Sequence, residues 1–185
     1  YFHEPIPENN PSDVDGYQQL ASSLISQAWE AISPDLVLTT SVFEGRGNPR
    51  VVVPFPQTKT TSYKQVAILH DLIPYIFRDH YLDQSPIVRN WYMERFNSLK
   101  NFDLLLAISE ATRQDAIHLL NLSPEKVVNI SSAYSARYRK ITISETEKKE
   151  IMQRLGISRP FVFYLGNDDF RKNLGGAIEI FANLP

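Results

Sequence analysis

The chain contains no cysteine. That excludes disulfides, thiol catalysis and cysteine-ligated metal. No stretch approaches the roughly 18 apolar residues of a membrane span. There is no basic excess either: 19 Lys and Arg stand against 21 Asp and Glu, for a formal net charge of −2. Nucleic-acid binders usually show a strong positive balance, so no nucleic-acid partner is expected. The opening residues, Tyr1-Phe2-His3-Glu4-Pro5, lack the pattern of a signal peptide, and a cytoplasmic location is expected. No internal repeat and no low-complexity tract stands out. What is present is ordinary for a globular protein, with 43% apolar and 22% charged residues.

The 185 residues suffice for one domain, or for one domain and a piece of another. The first residue is not Met, and the last ones, Ala177 to Pro185, stop just after an apolar helical pattern. A piece of a longer chain is therefore expected.

Residues 1–16 are rich in Pro, Asn and Asp and read as loop. From Tyr17 onward, Leu20, Leu24, Ala28 and Ile32 fall on one helix face, and Ser33-Pro34 ends that helix. Leu36–Thr40, Val66–Leu69, Asp103–Ile108 and Val127–Ile130 are short apolar runs that read as buried strands. Residues 50–64 are ambiguous. Val88, Trp91, Tyr92, Phe96 and Leu99 form a helical stripe, and Ser109 is a good N-cap for a helix from Glu110 to Leu120. Continuously apolar strands alternating with amphipathic helices predict an α/β fold, a parallel sheet with helices on both faces. In such sheets ligands bind beyond the C-terminal strand ends. Here those ends lead into Phe43–Asn48, His70–Pro74 and Ser109–Thr112.

The polar run Ser131–Glu150 breaks this rhythm and reads as an interdomain connection. A helix over Glu145–Leu155, stopped by Gly156, follows it. Phe161–Leu165 reads as a fifth strand, Gly166–Asn173 as a polar loop, and Leu174, Ile178 and Phe181 as one face of a last helix. A strand ending in Gly, a loop that brings Arg171 and Lys172 together, and a helix start make a plausible phosphate site. A solvated loop with two surface cations explains the same residues. The loop is neither a Walker motif nor a Gly-x-Gly-x-x-Gly turn. His70, at a strand end, can hydrogen-bond a hydroxyl or assist proton transfer. The structural alternative has His70 satisfying nearby backbone and Asp71 capping a turn. His3, His80 and His118 have no metal-ligand spacing, and no metal site is expected.

Tyr164-Leu165-Gly166, five residues, then Lys172-Asn173-Leu174, followed by Ala177, Phe181-Ala182 and Leu184-Pro185, resembles the start of the donor domain in family-4 (group 1) retaining glycosyltransferases. His70-Asp71-Leu72-Ile73-Pro74, Ala107-Ile108-Ser109-Glu110-Ala111-Thr112 and Pro124–Ile130 agree with the family in the same order, and Ser41-Val42-Phe43-Glu44-Gly45 is similar to a subgroup. The likeness runs from about Pro34 to Pro185. It implies the GT-B fold of two facing Rossmann-like domains. Residues 1–140 would be the acceptor-side domain, incomplete at its start; 141–158 the connection and its helix; 159–185 the first βα unit of the donor-side domain. By resemblance Lys172 holds the donor diphosphate, with Arg171, Asn167 and Gly166 beside it. Many members carry Arg where this chain has Asn167, a departure from the pattern. His70 is the expected catalytic residue. Glu44, Gly45 and Asp71 are expected on the acceptor side, and Ser109 and Glu110 as structural caps.

The implied reaction moves a hexose from a nucleoside-diphosphate sugar to a glycan or lipid-linked acceptor, without a cofactor. Peripheral association with the inner face of the cytoplasmic membrane, and a dimer, are expected with it. The family's N-terminal strand with its Gly-rich loop would precede Tyr1. Its glutamate pair, two Glu separated by seven residues, would follow Pro185. A non-catalytic scaffold of degenerate glycosyltransferase fold, or a sugar-nucleotide epimerase, are the alternative functions.

Overall fold

The segment Lys64–Leu69 runs Gln65, Val66, Ala67, Ile68, Leu69 with all but Ile68 buried. A strand covered on both faces must lie inside a sheet rather than at its edge. In the computed structural model, which describes residues 11–46, 48, 51–56, 62–166 and 169–184 (backbone alone at 11–15, 17 and 19), it does. The strands β1 (Leu36–Thr39), β2 (Lys64–Leu69), β3 (Leu104–Ala107) and β4 (Val127–Asn129) form a four-stranded sheet in the order β1-β2-β3-β4. All three pairings are parallel, with Thr39 opposite Ala67, Leu69 opposite Ala107, and Ala107 opposite Asn129. The α/β reading with a parallel, Rossmann-like sheet is therefore correct.

The helices are α1 (Pro11–Ile32), α2 (Ile73–Ile76), α3 (Arg78–Tyr81), α4 (Pro86–Ser98), α5 (Glu110–Leu120), α6 (Glu145–Arg154) and α7 (Leu174–Ala182). Two compact units divide them, residues 1–134 and 135–185. In the first, Leu69, Leu72, Leu82, Phe96, Leu99, Phe102, Leu105 and Leu120 pack into one core. The α4 stripe falls as its spacing predicts: Tyr92, Phe96 and Leu99 are buried, with Val88 and Trp91 packed against them. Ser85 caps α4 by accepting from the Val88 amide at 3.4 Å, and Pro86 occupies its first turn, where a missing N–H costs nothing. The Arg95 guanidinium is buried between Trp91 (4.3 Å) and Phe55 (5.1 Å), which fastens the segment around Phe55 to α4. Asp103 joins the strand starts: its carboxylate accepts from the Gln65 amide (2.8 Å) and from Lys64 Nζ (3.3 Å).

Three expectations are corrected. The helix α1 forms, but Leu20, Leu24, Ala28 and Ile32 face outward, Leu20 being 62% exposed. The inward side is Ala21, Ser22, Ile25, Ser26 and Trp29, anchored by Trp29 edge-on against Tyr63 at 6.1 Å. One large aromatic contact sets the helix rotation against four smaller apolar residues. Second, residues 11–16, read as loop, are already helical, because α1 begins at Pro11, a residue suited to a first helical turn. Third, Phe161–Leu165 forms no strand among the described residues, and Leu165 is 87% exposed. A strand needs a neighbour to take its N–H and C=O groups, and the second unit supplies none.

That second unit is helical where it is ordered by local rules. Ser144 and Glu147 form a reciprocal capping box at the start of α6, with bonds of 3.2 and 2.8 Å. Gly156, at φ +67°, ends it as read from the sequence, and the Ile157 amide reaches back to the Met152 carbonyl at 2.8 Å. Among the described residues no helix is long and apolar enough to cross a membrane.

Amide hydrogen exchange on the 185-residue chain should separate these regions. Val66–Leu69 and Leu104–Ala107 are expected to exchange on the order of a thousandfold slower than 161–165, which should exchange near free-peptide rates. Strong protection at 161–165 would show a partner strand.

Candidate functional site

Because the strands are parallel, the turns leaving β1, β2 and β3 emerge on one edge of the sheet. Ser41, Val42, Phe43 and Glu44 after β1 meet Ile68, His70, Asp71 and Pro74 around β2, with Tyr92 of α4, and enclose a pocket of about 230 Å³. That is below the roughly 300–1,000 Å³ of sites for drug-sized ligands. Of the residues expected at a site, the structure brings together His70, Asp71 and Glu44.

The His70 side chain is exposed and makes no hydrogen bond among the described residues. Its backbone is fixed instead: the buried Thr112 hydroxyl donates to the His70 carbonyl at 3.0 Å. Thr112 is in turn held by Ser109, whose hydroxyl donates to Thr112 Oγ1 (3.0 Å) and accepts from the Thr112 amide (3.1 Å). Ser109 is thus the α5 cap, as expected. Glu110 binds Arg113 at 3.0 Å and Gln114 at 2.7 Å. These two bonds, Gln114's first, hold its carboxyl below the usual range. Arg113 also donates to the Val127 carbonyl at 2.8 Å, tying α5 to β4. Asp71 serves both alternatives: it accepts from the Ile73 amide at 3.0 Å, which shapes the turn into α2, and it lines the pocket.

Glu44 accepts from the Ser41 hydroxyl at 3.2 Å and faces the pocket. Gly45 does not line it. At φ +87° a side chain there would stand 2.4 Å from the Val51 carbonyl oxygen, so glycine is required to fold the loop. Its carbonyl accepts from the Asn48 amide at 3.1 Å.

The sequence reading did not single out Tyr92 for the site. Its place in the α4 stripe marked it as core, and it is core: 4% exposed, with its ring stacked on Phe43 at 4.6 Å and 17°. Its side chain nevertheless lines the pocket. Burial, and after it the charge of Asp71, push the Tyr92 phenol well above its usual range, so it stays protonated at any physiological pH.

The second group of expected residues lies in the second unit. A 3₁₀ turn, Phe170–Lys172, leads through Asn173 in left-handed conformation (φ +48°) into α7, and Asn173 caps α7 by accepting from the Gly176 amide at 3.3 Å. Lys172 is exposed, and its ammonium makes no ion pair among the described residues. Arg171 is engaged: its guanidinium forks onto the Asp169 carboxylate with bonds of 2.9 and 2.8 Å. That bidentate pair neutralises Arg171 locally and turns it back on its own loop. Gly166 lies at the loop start, and Asn167 lies outside the described residues. The Tyr164 hydroxyl closes the loop by donating to the Lys172 carbonyl at 3.3 Å. Among the described residues no group of three or more His, Asp or Glu could hold a metal ion.

No family model matches the chain. It is similar to mannosyltransferases of Escherichia coli. To the serotype-specific mannosyltransferase WbdA it is 29% identical over 174 residues, covering 94% of this chain and 21% of that protein. To the O-antigen chain mannosyltransferase B it is 26% identical over 125 residues, 66% of this chain and 31% of the relative. The chain thus spans between a fifth and a third of the length of these curated relatives.

Replacing Ser109 by Ala removes the α5 cap and the bond that orients Thr112 toward His70. Urea unfolding is expected to show a loss of about 0.5–2 kcal/mol. An unchanged midpoint would remove Ser109 from the support of the pocket.

Proposed function

We propose that this chain is part of a glycosyltransferase that moves a hexose from a nucleoside-diphosphate sugar to a glycan or lipid-linked acceptor. The observation that carries it is the pocket of His70, Asp71 and Glu44 at the C-terminal strand ends, in a chain similar over 94% of its length to a mannosyltransferase. The relatives' names favour mannose as the hexose and O-antigen as the acceptor class. Residues 1–140 take the acceptor-side role, and 159–185 begin the donor side, with 141–158 between them. Reaction at the cytoplasmic face of a membrane, with peripheral attachment there, fits a lipid-linked acceptor.

The chemistry divides between the two units. The leaving group is a nucleoside diphosphate, so negative charge grows on its bridging oxygen as the sugar bond breaks. Lys172, beside the positive end of α7, is the cation suited to offset that charge. Gly166 and Asn167 stand six and five residues before Lys172 in the sequence. Arg171 joins them only by leaving Asp169, at the cost of a bidentate pair. His70 presents an imidazole held on a fixed backbone, able to bind a sugar hydroxyl or relay its proton. Retention of anomeric configuration is the expected stereochemical outcome by family likeness.

Lys172→Ala in the full-length protein is expected to weaken donor use by about 1.5–3 kcal/mol, roughly ten- to a hundredfold or somewhat more in kcat/KM. Arg171→Ala should cost less, since Arg171 is already neutralised. Unchanged donor kinetics for Lys172→Ala would make the loop a solvated turn. Failure of the full-length wild type to use any sugar nucleotide would leave the scaffold function.

A further inference from the structure

One peptide joins His70 to Asp71, and both residues line the pocket. The plane of that peptide helps set where the imidazole points. On either side the chain is held locally. The β2–β3 ladder ends one residue earlier, where the Ile108 amide donates to the Leu69 carbonyl at 3.1 Å. One residue later the Asp71 carboxylate accepts from the Ile73 amide at 3.0 Å, and the Leu72 carbonyl takes the Tyr75 and Ile76 amides at 3.0 and 3.1 Å. Between these points the His70 carbonyl is held by a side chain. The Thr112 hydroxyl, 42 residues away in sequence, donates to it at 3.0 Å.

A threonine in a helix commonly turns its hydroxyl onto a carbonyl three or four residues back. Thr112, in the first turn of α5, does otherwise. The Ser109 carbonyl takes the Arg113 amide at 3.0 Å, and the Thr112 hydroxyl crosses to the end of β2. It is oriented from behind by the Ser109 hydroxyl, which donates to Thr112 Oγ1 at 3.0 Å. Hydrogen bonds in such a chain polarise and strengthen one another. Thr112 is buried and is not among the residues that line the pocket. Valine has the same branched shape and would fill the same space. What valine lacks is the donor.

We propose that Thr112 is a positioning residue. Its hydroxyl fixes the His70–Asp71 peptide and, through it, aims the His70 imidazole at a hydroxyl of the bound sugar. The role rests on the glycosyltransferase reading. Misplacing a reacting group by about 1 Å costs on the order of a hundredfold in rate. A bond of modest energy therefore has a large effect on turnover.

The test uses the full-length protein, nucleoside-diphosphate mannose as donor and a mannose-terminated oligosaccharide as acceptor. Assays run well below the melting temperature of every variant. Thr112→Val keeps the shape, removes the donor and is expected to lose roughly ten- to a hundredfold in kcat/KM. Thr112→Ser keeps the hydroxyl and should stay within about threefold of wild type. Because the effect passes through the imidazole, Thr112→Val added to His70→Asn should cost less than about threefold more, read over long incubations. A threonine that only supported the fold would give additive losses. Wild-type kcat/KM in Thr112→Val overturns the role. So does an equal loss in Thr112→Ser, or the full loss on the His70→Asn background. Should Thr112→Val not fold, Thr112→Cys, a weak thiol donor, replaces it in both comparisons. In all these outcomes the wild type is active and the enzyme function stands. A wild type that transfers no sugar overturns the function itself, and Thr112's role with it.

Discussion

Parallel pairing is the constraint on which the first unit depends. Three parallel registers, with Thr39, Ala67, Ala107 and Asn129 near the strand ends, send the chain out of the sheet on one edge. The residues that follow β1 and β2 are far apart in sequence, yet Glu44 and His70 share a pocket. Antiparallel pairing would have sent Ser41–Glu44 to the opposite edge from His70. The crossovers from β2 to β3 and from β3 to β4 carry α4 and α5, and Leu69, Phe96, Phe102 and Leu105 belong to the core formed there.

Within this frame the site is held by hydrogen bonds of low individual energy. Ser109 orients Thr112, and Thr112 fixes the His70 carbonyl. Each such bond contributes about 0.5–1.5 kcal/mol net. Together they make the end of β2 and the start of α5 one piece, leaving the imidazole itself uncommitted. Structural work falls on residues beside the chemistry. The second unit shows the same division: Asn173 caps α7 and Asp169 takes Arg171, while Lys172 stays outside these bonds.

The sequence was legible where one periodic signal dominated. The four strands, the α4 stripe, the α5 cap and the Gly156 stop follow from apolar runs, spacing and cap chemistry. It was less so where the outcome depended on partners. The apolar face of α1 was judged by counting Leu20, Leu24, Ala28 and Ile32, whereas the contact of Trp29 with Tyr63 decides the rotation. Phe161–Leu165 has the composition of a strand but no ladder to join. α2 and α3, at four residues each, are set by backbone bonds from Leu72 and Phe77 onward. His70, Asp71 and Glu44 line one pocket because they follow two adjacent parallel strands. Tyr92 joins them from α4, where its helical spacing marks it only as core.

Two neighbouring residues on α4 show what that spacing leaves open. Trp91 and Tyr92 each bury a polar atom without a hydrogen bond among the described residues. Trp91 has a compensating contact, because its ring face carries the Arg95 guanidinium at 4.3 Å. Indole is a better cation partner than a phenyl ring, so the tryptophan is justified by its face and not by its N–H. Tyr92 has no such compensation. Its faces meet Phe43 and Phe96, and phenylalanine would stack there equally well. The phenol oxygen is held inside the fold, facing the Tyr75 backbone amide, while Tyr92 as a residue lines the pocket with His70 and Asp71.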